Sequence, residues 1–143
     1  MGTILLTGAT GFVGREVAKR LLGTGHHVSA LVRGREGQGP RARLDALGLH
    51  AVAEIEGEIG VDVSPAAKQR WDTVVHCAGD TTFFPRDPTA YRRTHVDGAV
   101  DLYRKTYGAR FVHVSTAFVC ARGSFGCPHG NLPRRDSTFP RVS

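Results

Sequence analysis

The sequence predicts an α/β fold: a doubly wound parallel sheet of about five strands in the order 3-2-1-4-5, followed by an irregular C-terminal tail. Three observations predict it. Apolar runs that read as strands recur along the chain up to Ser115. Helical patterns fall between most of them, and parallel strands need such crossovers. The first run, Thr3 to Thr7, passes at once into Gly8-Ala-Thr10-Gly11-Phe12-Val13-Gly14-Arg15 and an amphipathic helical pattern.

That junction is the most informative feature of the chain. A strand must stop and a helix begin within a few residues, so that free helix N–H groups and the positive end of the macrodipole face an anion. A Cβ on Gly8 or Gly11 would obstruct the turn or a bound phosphate, and Gly14 lets the helix lie close to the sheet. The context, a buried strand before and a helix after, is what a dinucleotide-binding turn requires. A glycine-rich turn with no ligand is the alternative. The architecture expected is therefore Rossmann-type.

The elements follow in order. The first helix is expected over Val13 to Leu22, with Val13, Val17 and Leu21 inward, Arg15, Glu16, Lys19 and Arg20 outward, and Gly23 and Gly25 ending it. A second strand is read at Val28 to Val32. The glycine-rich stretch Gly34 to Gly39 leads through Pro40 into a short exposed helix, Arg41 to Leu47. Further strands are read at His50 to Glu54, Thr73 to His76 and Arg110 to Ser115. Asp87 and Pro88 suit the start of a long helix reaching Tyr107, with Gly108 as its stop. From Arg122 on, glycines, prolines and paired arginines leave no run long enough for a strand or helix. The chain is thus divided into a nucleotide-binding domain, 1–119, and an irregular tail, 120–143, with no separate substrate domain.

With 143 residues, 41% of them apolar and 22% charged, the chain has the size and composition of one soluble domain. No apolar run is long enough for a membrane span, and no secretory signal precedes the first strand, so the cytoplasm is the expected location. Cys77, Cys120 and Cys127 form no Cys-x-x-Cys pair, which gives no reason to expect a metal site. The net charge of +6 is spread along the chain without a continuous stripe, and no nucleic-acid reading motif is present.

Chemistry concentrates at the carboxyl ends of the strands. The second strand ends Ala30-Leu-Val-Arg33-Gly-Arg35, where an acid would bond the 2′-hydroxyl of NAD and a base would take the 2′-phosphate of NADP. No acid occupies the turn. Arg33 can stack on adenine and pair with a phosphate, with Arg15 and Arg35 nearby, so NADP is expected over NAD; solvated loop arginines are the alternative. His76 reads as a packed residue before Cys77, Ala78 and Gly79, whose small size lets the backbone approach a ribose. Ser115, at the end of the fifth strand, can bond a substrate carbonyl or close a local turn.

The opening Thr-Gly-x-x-Gly-x-x-Gly, the His76-Cys77-Ala78-Gly79 phrase and the Val-Ser115-Thr-Ala phrase resemble the extended short-chain dehydrogenase/reductase family, the NAD-dependent epimerase/dehydratase type. The wording is most similar to its thioester reductase and fatty acyl reductase (male-sterility) branch. The resemblance covers residues 1 to about 119. It implies phosphate and ribose contacts from Gly8, Thr10, Gly11, Phe12, Val13, Gly14, Arg15, Arg33, Cys77, Ala78 and Gly79, and a catalytic Ser115. It also implies an adenine contact from Glu58 and Ile59, where relatives carry Asp; a solvent-facing Glu58 is the alternative. The implied activity is NADPH-dependent reduction of a carbonyl or acyl thioester. Two departures stand against it: His95 occupies the place of a helical Asn, and none of Tyr91, Tyr103 and Tyr107 has a lysine four residues later. Without that acid/base pair the chain is expected to bind nucleotide and not turn over. A noncatalytic regulatory module, a sugar-nucleotide epimerase/dehydratase-like fragment, and an enzyme using Tyr91 or His95 as its acid are the other readings. In the module reading the open edge of the fifth strand calls for self-association or a partner chain.

Overall fold

The computed structural model describes residues 1–81 and 86–115. Its five strands are β1 (Thr3–Thr7), β2 (His27–Val32), β3 (Ala53–Glu56), β4 (Thr73–His76) and β5 (Arg110–His113). They form one parallel sheet in the order β3-β2-β1-β4-β5, the doubly wound Rossmann-type arrangement expected. The direction of winding reverses at β1, which pairs with β2 on one side and β4 on the other. The carboxyl ends stay level across the sheet: Thr7 is in register with Leu31 and His76, Val32 with Glu56, and His76 with His113.

Alternation along the strands gives each face its own core. Leu6, Ala30 and Val32 face α1 (Phe12–Gly23) and α2 (Pro40–Asp45), packing with Ala18, Leu44, Leu49 and Val52. Leu5, Leu31 and Val74 face the other way, against Trp71, Val63, Ala66 and Leu102. Val17 and Leu21 of α1 pack on the first core. Val13 does not; it is 49% exposed in the first turn of the helix.

Several elements differ from the sequence expectation, most by one or two residues at an end. The third strand begins at Ala53, three residues late. The guanidinium of Arg41 donates to the carbonyls of Leu49 and Val52 (3.1 and 2.8 Å), and Val52 N–H turns back to Leu49, so this stretch is a turn rather than a strand. β5 ends at His113, although Val114 N–H still reaches His76 O at 3.0 Å. The helix expected from Asp87 to Tyr107 is three segments: α3 (Pro88–Arg92), a π turn (Arg93–Asp97) and α4 (Gly98–Lys105). Asp87 caps it, its carboxylate accepting from the N–H groups of Thr89 and Ala90. Unforeseen in the sequence is a 3-10 turn at Ser64–Lys68, whose Ala66 carbonyl accepts the indole N–H of Trp71 at 2.7 Å. The expected tail, 120–143, lies outside the described residues.

Candidate functional site

At the reversal point the carboxyl ends of β1, β2, β3 and β4 enclose a cleft of about 490 Å³, within the size range of small-molecule sites. Its floor is the turn between β1 and α1. Gly8 has φ +74°, and a Cβ there would stand 2.6 Å from Ala78 N and 2.7 Å from the Cys77 carbonyl carbon. The β1 and β4 loops therefore run backbone to backbone, which only glycine permits. Gly11 N–H closes the turn onto Gly8 O at 2.9 Å, and the first helical bond is Arg15 N–H to Gly11 O. The N–H groups of Phe12, Val13 and Gly14 precede that bond and have no intrahelical acceptor. Gly11, at the N-cap, supplies no side-chain cap, and no acidic residue lies in the first turn.

Thr7 ties the two loops from beneath. Its hydroxyl accepts from Ala78 N–H at 3.2 Å and meets His76 Nδ1 at 2.6 Å. Which of the two donates in the bond to His76 follows from the imidazole tautomer, since a hydroxyl can accept twice. His76 is buried and stacks on His113 at 5.1 Å. Burial, followed by the neighbouring His113 and His95, lowers its pKa to about 4. It is the packed histidine the sequence pointed to, neutral at physiological pH. Burial likewise pushes the Cys77 thiol up. Among the described residues no group of three His, Cys, Asp or Glu side chains is placed to hold a metal ion.

The wall over β2 and β3 is strongly basic. Arg33, Arg35 and Arg43 all line it. Arg43 donates to the Arg33 carbonyl at 2.6 Å and to Thr10 Oγ1 at 3.2 Å, joining α2 to the tip of β2 and to the glycine turn. Partial burial, then the charges of Arg35 and Arg33, lower the pKa of Arg43. One acid intrudes: Glu58 accepts from Arg33 Nη1 at 2.9 Å. Both side chains are about half exposed, so this pair is worth at most ~1 kcal/mol and is displaceable.

Of the residues read from the sequence, Gly8, Thr10, Gly11, Arg33, Glu58, Ile59, Cys77, Ala78 and Gly79 meet in this cleft. Phe12 and Val13 are exposed beside it. Gly14 is buried beneath the turn, where a Cβ would overlap the Gly8 carbonyl oxygen. Arg15 does not line the cleft; it is half-buried in the first turn of α1, its Nε 3.9 Å from Glu16 and buried without a hydrogen-bond partner among the described residues. Ser115 is exposed two residues beyond β5 and does not line the cleft. Arg43 is the residue the sequence reading missed. Its signal was weak: one more arginine in a basic stretch, on a helix whose docking the sequence left open.

A glycine-floored cleft at the switch point of a doubly wound parallel sheet defines a nucleotide-binding α/β domain. Residues 4–138 match the NAD dependent epimerase/dehydratase family, and the chain belongs to that family. Solved structures with the same fold include a variant of UDP-glucuronic acid 4-epimerase from Bacillus cereus in complex with UDP-4-deoxy-4-fluoro-glucuronic acid and NAD, 23% identical with TM-score 0.70; the match covers 92% of this chain and 46% of that one. ADP-L-glycero-D-manno-heptose-6-epimerase from Helicobacter pylori is 22% identical with TM-score 0.71, over 90% of this chain and 43% of that one. A UDP-glucose 4-epimerase from Stenotrophomonas maltophila with bound NAD is 20% identical with TM-score 0.69, over 90% and 40%. The chain spans less than half the length of each. Among the described residues no helix is long and apolar enough to cross a membrane.

Proposed function

We propose that this chain is the NADP(H)-binding domain of an extended short-chain oxidoreductase whose complete relatives reduce a carbonyl or acyl thioester. One observation carries the reading: the free N–H groups at the start of α1 stand beside three guanidinium groups at the tip of β2. The residues fit the cofactor. The turn at Gly8 and Gly11, bare of side chains, takes the diphosphate; Arg33, Arg35 and Arg43 take the 2′-phosphate; Glu58 and Ile59 edge the adenine; Cys77, Ala78 and Gly79 take the ribose beyond. Phe12, Val13 and Gly14 contribute backbone donors, and Arg15 adds positive charge at the helix start. Domain limits of 1–119 and 120–143 belong to this reading, as does a cytoplasmic setting, where Cys77 stays a free thiol. When bound, the nicotinamide supplies or takes a hydride. Ser115 would hydrogen-bond the substrate carbonyl, and the acid/base pair that would exchange its proton is not among the tyrosines of this sequence.

Calorimetric titration with NADPH and NADH tests the assignment. NADPH is expected to bind at least tenfold tighter, a difference of ~1.4 kcal/mol, with nicotinamide absorbance unchanged on adding carbonyl or thioester substrates. Equal affinities would remove the NADP preference, and steady NADPH consumption would remove the inactivity. Replacing Arg43 by leucine is expected to cut NADPH affinity about tenfold and leave NADH within twofold, since a charge-assisted bond to phosphate is worth ~1.5–3 kcal/mol. A parallel loss for both nucleotides would show that Arg43 only braces the loop.

A second reading, a sugar-nucleotide epimerase/dehydratase domain using NAD, is favoured by the solved relatives with bound NAD. The Arg33–Glu58 pair also suits it, because an acid at the adenosine end can bond a ribose hydroxyl. Tighter binding of NADH than NADPH would select it. Under either reading the side of β5 that pairs with no strand among the described residues, with Val112 and Val114 partly exposed, is where a second copy or a partner chain would add. Light scattering reads this directly, and a strict monomer at high concentration would dismiss self-association.

A further inference from the structure

The π turn between α3 and α4 touches both walls of the cleft. Such a turn inserts an extra residue into the helix and recurs at functional sites, where it carries a side chain out of regular helical phase. Here it brings His95 to the rim. His95 Nε2 accepts a hydrogen bond from the backbone N–H of Asp80 at 3.0 Å. Its Cε1 stands 3.0 Å from the place a Cβ on Gly79 would take, and the Tyr91 ring lies against it with centroids 4.1 Å apart. Gly79, Asp80 and Thr94 line the cleft on this side. On the other side the contact is backbone to backbone. A Cβ on Gly60 would stand 2.8 Å from Arg93 O, and one on Gly98 would overlap Gly60 N. One short segment thus braces the loop after β3 and, through the His95 side chain, the loop after β4.

The geometry points to His95 as a positioning residue that holds the Gly79–Asp80 loop as the wall for the nicotinamide–ribose half of the dinucleotide. This rests on the dinucleotide reading above: with the diphosphate on the glycine turn and adenosine over β2 and β3, the other half lies over β4. An N–H donor needs an acceptor, so Nε2 is the unprotonated nitrogen and the ring proton sits on Nδ1. The imidazole therefore does two things at once. It fills the space between Tyr91 and Gly79, and it accepts from the Asp80 amide, tying the loop to the π turn. Leucine can do the first and not the second. Glutamine can do both, its Oε1 reaching about as far as Nε2.

The experiment compares wild type, His95→Leu and His95→Gln, each titrated with NADP⁺ and NAD⁺ and with the corresponding adenosine halves, 2′,5′-ADP and 5′-ADP. The leucine variant is expected to bind the full dinucleotide about tenfold more weakly, because the loop wall loses its hydrogen bond to the π turn, and the adenosine half within twofold of wild type. Glutamine is expected to restore the dinucleotide to within about threefold. An unchanged ratio of dinucleotide to half-ligand affinity in the leucine variant overturns the assignment, and so does an equal loss for both ligands. Wild-type protein that binds none of the four would instead remove the dinucleotide reading. The clamp is then still read without ligand from hydrogen exchange at the Asp80 amide. About tenfold faster exchange in the leucine variant, reversed by glutamine, supports it, and unchanged exchange overturns it.

Discussion

Alanine at Gly14 is expected to destabilise the domain by about 2–4 kcal/mol and to weaken dinucleotide binding by more than tenfold. In an ordinary helix the same change stabilises by ~1 kcal/mol, because alanine restricts the unfolded chain and shields the backbone. Position 14 reverses the sign. The added methyl would overlap the Gly8 carbonyl oxygen and sit 3.0 Å from Ala9 N, both backbone atoms. Neither can yield, since Gly8 is held at φ +74° against Cys77 and Ala78. Helix α1 would have to lift from β1, and the donors of its first turn would move with it. Gly23, at the other end of the helix, is the control: a Cβ there meets nothing within 4 Å, so Gly23→Ala is expected to be neutral or to gain up to ~1 kcal/mol. Urea denaturation and nucleotide calorimetry on both variants check the pair. A Gly14→Ala protein as stable as wild type would mean that helix and turn are not in contact.

The same steric economy explains which parts of the fold were legible in the sequence. β1 and β4 fall where their apolar runs do, because both are interior strands covered on two faces and nothing polar interrupts them. The glycine turn was legible for an equally local reason: its requirement is excluded volume, and glycine is the one residue that meets it. β3 was misread because its start depends on a side chain from elsewhere. Arg41, on α2, takes the carbonyls of Leu49 and Val52 and keeps those residues out of the sheet. No periodicity within residues 50–56 carries that information.

The site follows the same division. Arg33 and Glu58 were each readable as residues at a strand's tip, yet their direct pairing at 2.9 Å follows from the register of Val32 with Glu56. Arg43 was not readable, since its contacts to residues 10 and 33 exist only once α2 has folded back over the β1 turn. His95 was visible as a departure from the family's Asn. Its bond to Asp80 depends on the π turn, which an unbroken helix from Asp87 to Tyr107 would not contain.

Lowering the pH from 6.5 to 5 is expected to remove about 2 kcal/mol of stability through His76 alone. The residue has a pKa near 6.5 in the unfolded chain and about 4 in the fold. The fold therefore favours the neutral ring, and the unfolded chain takes up a proton that the native state refuses. Stability from this source is complete above pH 6.5, falls by ~1.4 kcal/mol per unit as pH drops, and reaches its floor near pH 4. Burial is the main cause, with the neighbouring His113 and then His95 adding to it. The window separates His76 from the acids. Asp45, Asp62 and Asp72 all have carboxyl pKa values held below 3.8 by hydrogen bonds; their contribution is present above that value and is lost only as pH falls below it. Denaturation at pH 7, 6 and 5 should thus show a slope that His76→Gln flattens, because the glutamine amide can pair with the Thr7 hydroxyl as donor or acceptor without titrating. If the slope between pH 6.5 and 5 survives in that variant, the buried proton-refusing group lies elsewhere.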